Sequence, residues 1–345
     1  MKSVTRLLVV LALMVAAFTV AAQDDDNMMM ELPEEIVFEA PGITPEGIEY
    51  DAANARFLVG SLTDGNIRAV MDDGSIEVFI EDEFLVASIG IHIDADGERL
   101  LVANSNPAVF SGTVPEGFQI GLAAYDLNTG EQLFAVDLTE LAGEGTHFAN
   151  DVTVDEDGNA YVTDSFAPVI YQVTPDGEAS IFIENENLGA EGFGLNGIDY
   201  SPDGYLLAAV AGAGAIFKIP LDDPEALMQV ELETALGIDG MALAEDGTVY
   251  AVARVNGAQQ IVEIMSEDEW ETATITNSVP TTNAATTLAL RDGAVYYINA
   301  YLNTPDQEEY EIVRADFDMM MDDMGGDDTE EMEEPEPATT EEAAG

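Results

Sequence analysis

GIDYSPDGYLLAAV, residues 197–210, holds the plan of the fold: an apolar run, a turn built on Asp203-Gly204, and a second apolar run. Val, Ile, Leu and Tyr on either side of an Asp-Gly pair read as two antiparallel strands. The turn between them needs positive φ at its centre, which Gly supplies without steric cost. Working outward, the same pattern recurs as GIEYDAANARFLVG from Gly47, GIHIDADGERLLVA from Gly90, DVTVDEDGNAYVTD from Asp151, GMALAEDGTVYAVA from Gly240 and TLALRDGAVYYINA from Thr287. Six copies of a strand pair at intervals of about 45 residues leave room for two further strands per copy. GLAAYDL and EQLFAVDL follow the second copy, and VIYQVT and ASIFIE follow the third. Four antiparallel strands per repeat of this length define a propeller blade. No long stretch carries a 3.6-residue period, which excludes a helical solenoid.

The sequence therefore predicts an all-β, six-bladed β-propeller over residues 33–318. The sixth copy has only three strands before the composition changes, and Glu35-Ile-Val-Phe-Glu-Ala40 is the segment available to complete it. An N-terminal strand closing the last blade would remove the ring's exposed edges. Between the second and third copies an insertion, Asn104 to Gly121, rich in Pro, Gly, Phe and Ser, is expected either to cover one face of the ring and shape its pocket or to be a surface excursion.

The ends are different in kind. Lys2 and Arg6, the apolar run Leu7 to Val20 and small residues before Gln23 read as a signal peptide, residues 1–22, so the chain is expected to be secreted or periplasmic, with no membrane span after cleavage. Residues 23–32 form an acidic leader with Met28, Met29 and Met30, and residues 319–345 an acidic tail; both compositions predict disorder. The Met clusters suit soft metals such as Cu(I) but equally suit low-complexity filler. There is no Cys, so a large apolar core must do what disulfides do in other exported proteins. A formal net charge of −60 excludes nucleic acid as a partner and favours cations. A monomer acting on a small molecule is expected.

The innermost strands of a propeller converge on its axis, so the residue just before each copy deserves alignment. Those residues are Glu46, Ile89, Asn150, Asn196, Asp239 and Thr286. Glu46, Asn150, Asn196 and Asp239 are oxygen donors of the kind hard cations accept: two carboxylates for charge, two amides, and water to complete a six- to eight-ligand shell suited to Ca²⁺. The absence of His and Cys from the set disfavours zinc. Each position alone also fits a local role, since Asn and Asp satisfy backbone groups at strand entrances.

The segments Pro45-Glu46-Gly47, Ala149-Asn150-Asp151, Leu195-Asn196-Gly197-Ile198-Asp199-Tyr200-Ser201 and Ile238-Asp239-Gly240-Met241 resemble the metal-ligand segments of the gluconolactonase and regucalcin family. The resemblance spans blades one to six. It implies one bound divalent cation, most often calcium, held by Glu46, Asn150, Asn196 and Asp239. It also implies lactone hydrolysis, with Asp239 as the base that prepares water. Where sugar-lactone members often carry an Arg, this chain has Phe148, which puts sugar specificity in doubt. His147 beside it, on a loop expected to face the pocket, is a candidate proton carrier or substrate contact, and equally an ordinary loop histidine. His92, inside an inner strand, is expected to pack or to hydrogen-bond a neighbouring strand.

Nucleophile schemes find no Cys and no Gly-x-Ser-x-Gly elbow. Ala211-Gly212-Ala213-Gly214-Ala215 has no helix after it and reads as a hairpin rather than a phosphate loop. Two functions remain: a calcium-dependent lactonase-like hydrolase, or a non-catalytic, metal-stabilised propeller that binds a sugar, peptide or protein.

Overall fold

The computed structural model describes residues 32–112, 114–281, 284–302, 304 and 306–317. The signal segment, the leader apart from Leu32, and the tail lie outside the described residues. Six antiparallel sheets follow one another along the chain as six blades. Their innermost strands are Pro45–Asp51, Ser88–Asp94, Ala149–Val154, Leu195–Ser201, Leu236–Leu243 and Ala285–Arg291. Each of these packs on the next and the sixth packs on the first, which closes the ring.

Closure uses the segment the sequence offered. Glu35–Glu39 pairs antiparallel with Glu309–Arg314, the third strand of blade six, burying Ile36 and Phe38. Blade five departs from the four-strand rule, because the short strand Glu231–Leu232 adds to its outer strand Thr272–Pro280 in parallel. Among the described residues no helix is long and apolar enough to cross a membrane.

The Asp-Gly pair forms a two-residue hairpin only in blade six, where Asp292 and Gly293 both have positive φ. Elsewhere the turns are longer. In blades two and three an earlier Asp builds them by accepting from backbone N–H groups: Asp94 from Gly97 (2.8 Å), and Asp155 from Asp157 (3.0 Å) and Asn159 (2.8 Å). Asp51 and Asp94 also bind Arg56 (2.9 Å) and Arg99 (2.8 Å), whose second nitrogens reach the Leu127 and Gly158 carbonyls of the next blade at 2.7 and 2.6 Å. Several of the few basic residues thus serve as clamps between blades.

The core lies within and between blades, for example Phe57, Tyr296 and Ile312 between blades one and six, or Leu207, Val262 and Trp270 between blades four and five. Ala211-Gly212-Ala213-Gly214 is a 3₁₀ turn inside a hairpin of blade four, as its sequence suggested.

Candidate functional site

All six innermost strands share one irregularity, and it creates the site. In each, two residues face a single residue of the second strand: 46–47, 89–90, 150–151, 196–197, 239–240 and 286–287. Such a bulge breaks the ladder and re-aims a side chain. Repeated six times at one level, it turns a ring of side chains toward the axis. Four of the six bulges carry Gly at their second position, since the next blade leaves no room for more. A Cβ on Gly240 would fall into the Thr287 side chain and lie 2.7 Å from Thr287 Cα, and one on Gly197 would lie 2.8 Å from the Asp239 carbonyl oxygen.

Polar groups at the bulges and the adjoining strand ends find partners across the blade boundaries. Ser88 Oγ accepts from the Ser61 N–H (2.8 Å), Ser105 Oγ donates to Ala149 O (2.9 Å) and Ser165 Oγ to Leu195 O (2.7 Å). Asn196 Nδ2 donates to Asp239 Oδ1 (3.0 Å), Gln259 Nε2 to Ala285 O (2.8 Å) and Thr286 Oγ1 to Glu46 O (2.9 Å). Every boundary of the ring is tied at this end.

Glu46, Asn150, Asn196 and Asp239 line one cavity of about 460 Å³, together with Thr286 and a largely apolar wall. The Ser165 hydroxyl proton is committed to Leu195 O, so its oxygen accepts from Asn150 Nδ2 at 2.8 Å, which fixes the amide and leaves Asn150 Oδ1 as its free acceptor. Burial, followed by the charges of Asp239 and Asp151, holds the Glu46 carboxyl well above its ordinary value. Burial also pushes Asp239 up to about 6, against the lowering effects of the Asn196 hydrogen bond and the Arg254 charge.

Two half-buried carboxylates, of which Asp239 raises the proton affinity of Glu46, form with two amide side chains a donor set that suits a hard divalent cation. Among the described residues no group of three His, Cys, Asp or Glu side chains is arranged to hold a metal, consistent with a set that would have to rely on its two amides.

The remaining sequence-predicted residues fall elsewhere. His147 is 3% exposed and does not line the cavity; the neighbouring Phe148 does. His147 Nδ1 lies 2.7 Å from Asp164 Oδ2, and its Nε2 is buried without a partner. The expectation of a pocket-facing loop histidine is thereby corrected: Asp164 holds the imidazole away from the cavity, and the cavity-lining place goes to the apolar neighbour. His92 pairs with Glu49 of the adjacent blade at 3.3 Å, on the far side of the bulge ring. The insertion does reach the site, since Phe110 on its 3₁₀ turn Pro107–Ser111 lines the cavity.

Sequence reasoning missed Asp151, Phe193, Arg254 and Gln259. Asp151 sits where four copies have Gly, accepts from the N–H groups of Val152 (2.9 Å) and Ile198 (3.1 Å), and is pushed up to about 7 chiefly by burial. That substitution was a legible signal. Arg254 and Gln259 had none. A larger depression of about 710 Å³ lies over the turns of blades two and three, but its wall is the Asp94–Arg99 clamp and adjoining turn residues, without the ring of donors.

The fold and site define the chain as a six-bladed β-propeller with a ring of oxygen donors on its axis. Among solved structures it is similar to the major allergen Mala s 1 of Malassezia sympodialis, at TM-score 0.68 and 18% identity over 83% of this chain and 97% of that one. It is similar also to a gluconolactonase of Xanthomonas campestris, at 0.56 and 15% over 81% and 89%, and to a calcium-binding regucalcin of Agrobacterium tumefaciens, at 0.55 and 14% over 82% and 95%. At these identities the shared property is the fold. No family model and no curated protein matches the chain.

Proposed function

We propose that the chain is an exported, divalent-cation-dependent hydrolase that opens a small lactone or ester in the axial cavity, with Ca²⁺ as its ion. The observation that carries this reading is the placement of Glu46, Asn150, Asn196 and Asp239, from four blades, around one cavity. The likeness to a gluconolactonase and a calcium-binding regucalcin points the same way.

Glu46, Asn150, Asn196 and Asp239 would hold the cation, and Lewis-acid polarisation of the scissile carbonyl is the chemistry it would supply there. Asp239 is the base by its geometry: it lines the cavity, and its Oδ1 accepts from Asn196, so that Oδ2 is left for a proton. Asp239 takes a proton from water as the water oxygen attacks the carbonyl carbon. The ring C–O bond then breaks, and the proton passes to the leaving alkoxide to give a hydroxy acid. His147 enters through Asp164 and the loop carrying Phe148, without touching substrate.

A panel of lactones and esters tests this reading. Turnover should vanish with a chelator and return with Ca²⁺; a panel with no chelator-sensitive turnover would overturn it. The second reading, a propeller that a cation merely rigidifies, is favoured by the fact that the four donors belong to four blades, which any bound ion would tie together. It predicts loss of thermal stability on chelation with no activity in either state. Export rests on residues 1–22 and is checked by sequencing the mature N-terminus, expected near Gln23.

A further inference from the structure

The cavity wall says more about the substrate than its floor does. Phe110, Phe148, Phe166 and Phe193 form one cluster, with ring centroids 5.0 Å apart for 110–148, 6.0 Å for 110–193 and 5.3 Å for 166–193. Phe110 and Phe193 are 52% and 39% exposed, and both line the cavity. Adjacent aromatic rings left open to solvent on a chain of net charge −60 mark a surface that a ligand covers.

The wall is built rather than incidental. Asp164, fully buried, accepts from the N–H groups of Phe148 (3.0 Å), Phe166 (3.0 Å) and Ala167 (3.2 Å) through Oδ1. Its Oδ2 holds His147 at 2.7 Å and Tyr171 at 3.0 Å. One carboxylate therefore sets two of the four rings. Phe148 and Phe193 stand two and three residues before Asn150 and Asn196, so the same segments carry the apolar wall and the polar floor.

Groups suited to a sugar's hydroxyls are scarce by comparison. Beyond the floor donors the cavity offers Thr286, already bonded to Glu46 O, Gln259, which donates to Ala285 O, and Arg254, which gives one N–H to Gly257 O at 3.1 Å and keeps its other donors. The acids at the floor and over the whole chain repel an anion.

We propose that the ligand of this cavity is an uncharged lactone or ester with an apolar body of aromatic size, seated on the Phe110–Phe148–Phe193 wall with its carbonyl toward Asn150, Asn196 and Asp239. The assignment rests on the hydrolase reading for the ester function and on the wall for the apolar body, and the two can fail separately.

The test compares kcat/KM for γ-phenyl-γ-butyrolactone, unsubstituted γ-butyrolactone and a sugar δ-lactone, in Ca²⁺, for the wild type, Phe110→Ala and Phe193→Ala. Melting curves verify that the variants fold, as the exposure of both rings predicts. The phenyl lactone should be the best wild-type substrate and should lose about ten- to two-hundredfold in each variant, while the unsubstituted ring changes little. A calorimetric titration with γ-phenyl-γ-lactam, which resists hydrolysis, supplies a readout without turnover. Lactam binding that weakens in Phe110→Ala, with no lactone hydrolysed, would uphold the apolar ligand and end the hydrolase reading. Preferred turnover of the sugar lactone would uphold the hydrolase and overturn this inference. Equal treatment of all three lactones by wild type and variants, or no binding and no turnover, would overturn it as well.

Discussion

Replacing Asp239 by Asn should make the cation-free protein more stable, although it removes a residue proposed for catalysis. Holding an acid whose ordinary value is 3.8 at about 6 costs the charged native state about 3 kcal/mol. The native state binds this proton more tightly than the unfolded chain does. The penalty is therefore absent below pH 3.8, grows as pH rises through 6, and is complete above that. Asn is nearly isosteric, and its Oδ1 still accepts from Asn196. In EGTA at pH 8 the variant should melt about 6 °C above the wild type, at roughly 2 °C per kcal/mol for a domain of this size. At pH 3 the two should melt together. Ca²⁺ at a hundredfold excess over its Kd should stabilise the wild type by about 2.7 kcal/mol and leave the variant unchanged, while lactone turnover is lost. Differential scanning calorimetry at two pH values, with and without Ca²⁺, reads all of this. A variant less stable than the wild type in EGTA at pH 8 would refute the claim that uncompensated charge is held at the axis.

Gly240→Ala should destabilise by about 1–3 kcal/mol or more, read as a lower denaturant midpoint, because the new methyl group meets Thr287 of the next blade; an unchanged midpoint would contradict the tight bulge ring. His92 is a pH-dependent support. Burial alone would lower its pKa, but the hydrogen bond and charge of Glu49, with the charges of Asp199 and Asp151, raise it to about 9. Its stabilisation is thus complete below pH 6.5 and lost as pH rises through 9, and His92→Gln should flatten the wild-type fall in melting temperature across that window. Deleting residues 33–40 exposes the edge of Glu309–Arg314 and removes Ile36 and Phe38, about 3–6 kcal/mol of burial, so light scattering should show aggregation where the intact chain stays monodisperse.

Much of this architecture was legible because a propeller repeats. The six copies fix blade number, and the missing fourth strand of the last blade points to Glu35–Glu39. The donor ring could be aligned because the bulge falls at the same place in every copy, although the bulge itself is a property of the pairing. Gly47, Gly90, Gly197 and Gly240 were visible only as a recurring letter; their reason is the neighbouring blade. The wall was not legible. Phe110, Phe166 and Phe193 lie in non-repeating connections, and the distance between their rings depends on how three loops fold back over the axis. His147 shows the limit most clearly. Next to Phe148 in sequence, it stays out of the cavity that Phe148 lines, and Asp164, the residue that holds it, lies one strand away.

Equilibrium dialysis of the chelator-treated protein against ⁴⁵Ca²⁺ addresses the axial donors most directly, with Asn150→Ala and Asn196→Ala alongside the wild type. The account predicts one ion per wild-type chain with a chelator-reversible affinity, and an affinity at least tenfold weaker in each variant. Saturable binding that both substitutions leave intact would show that the cation, if any, is held elsewhere.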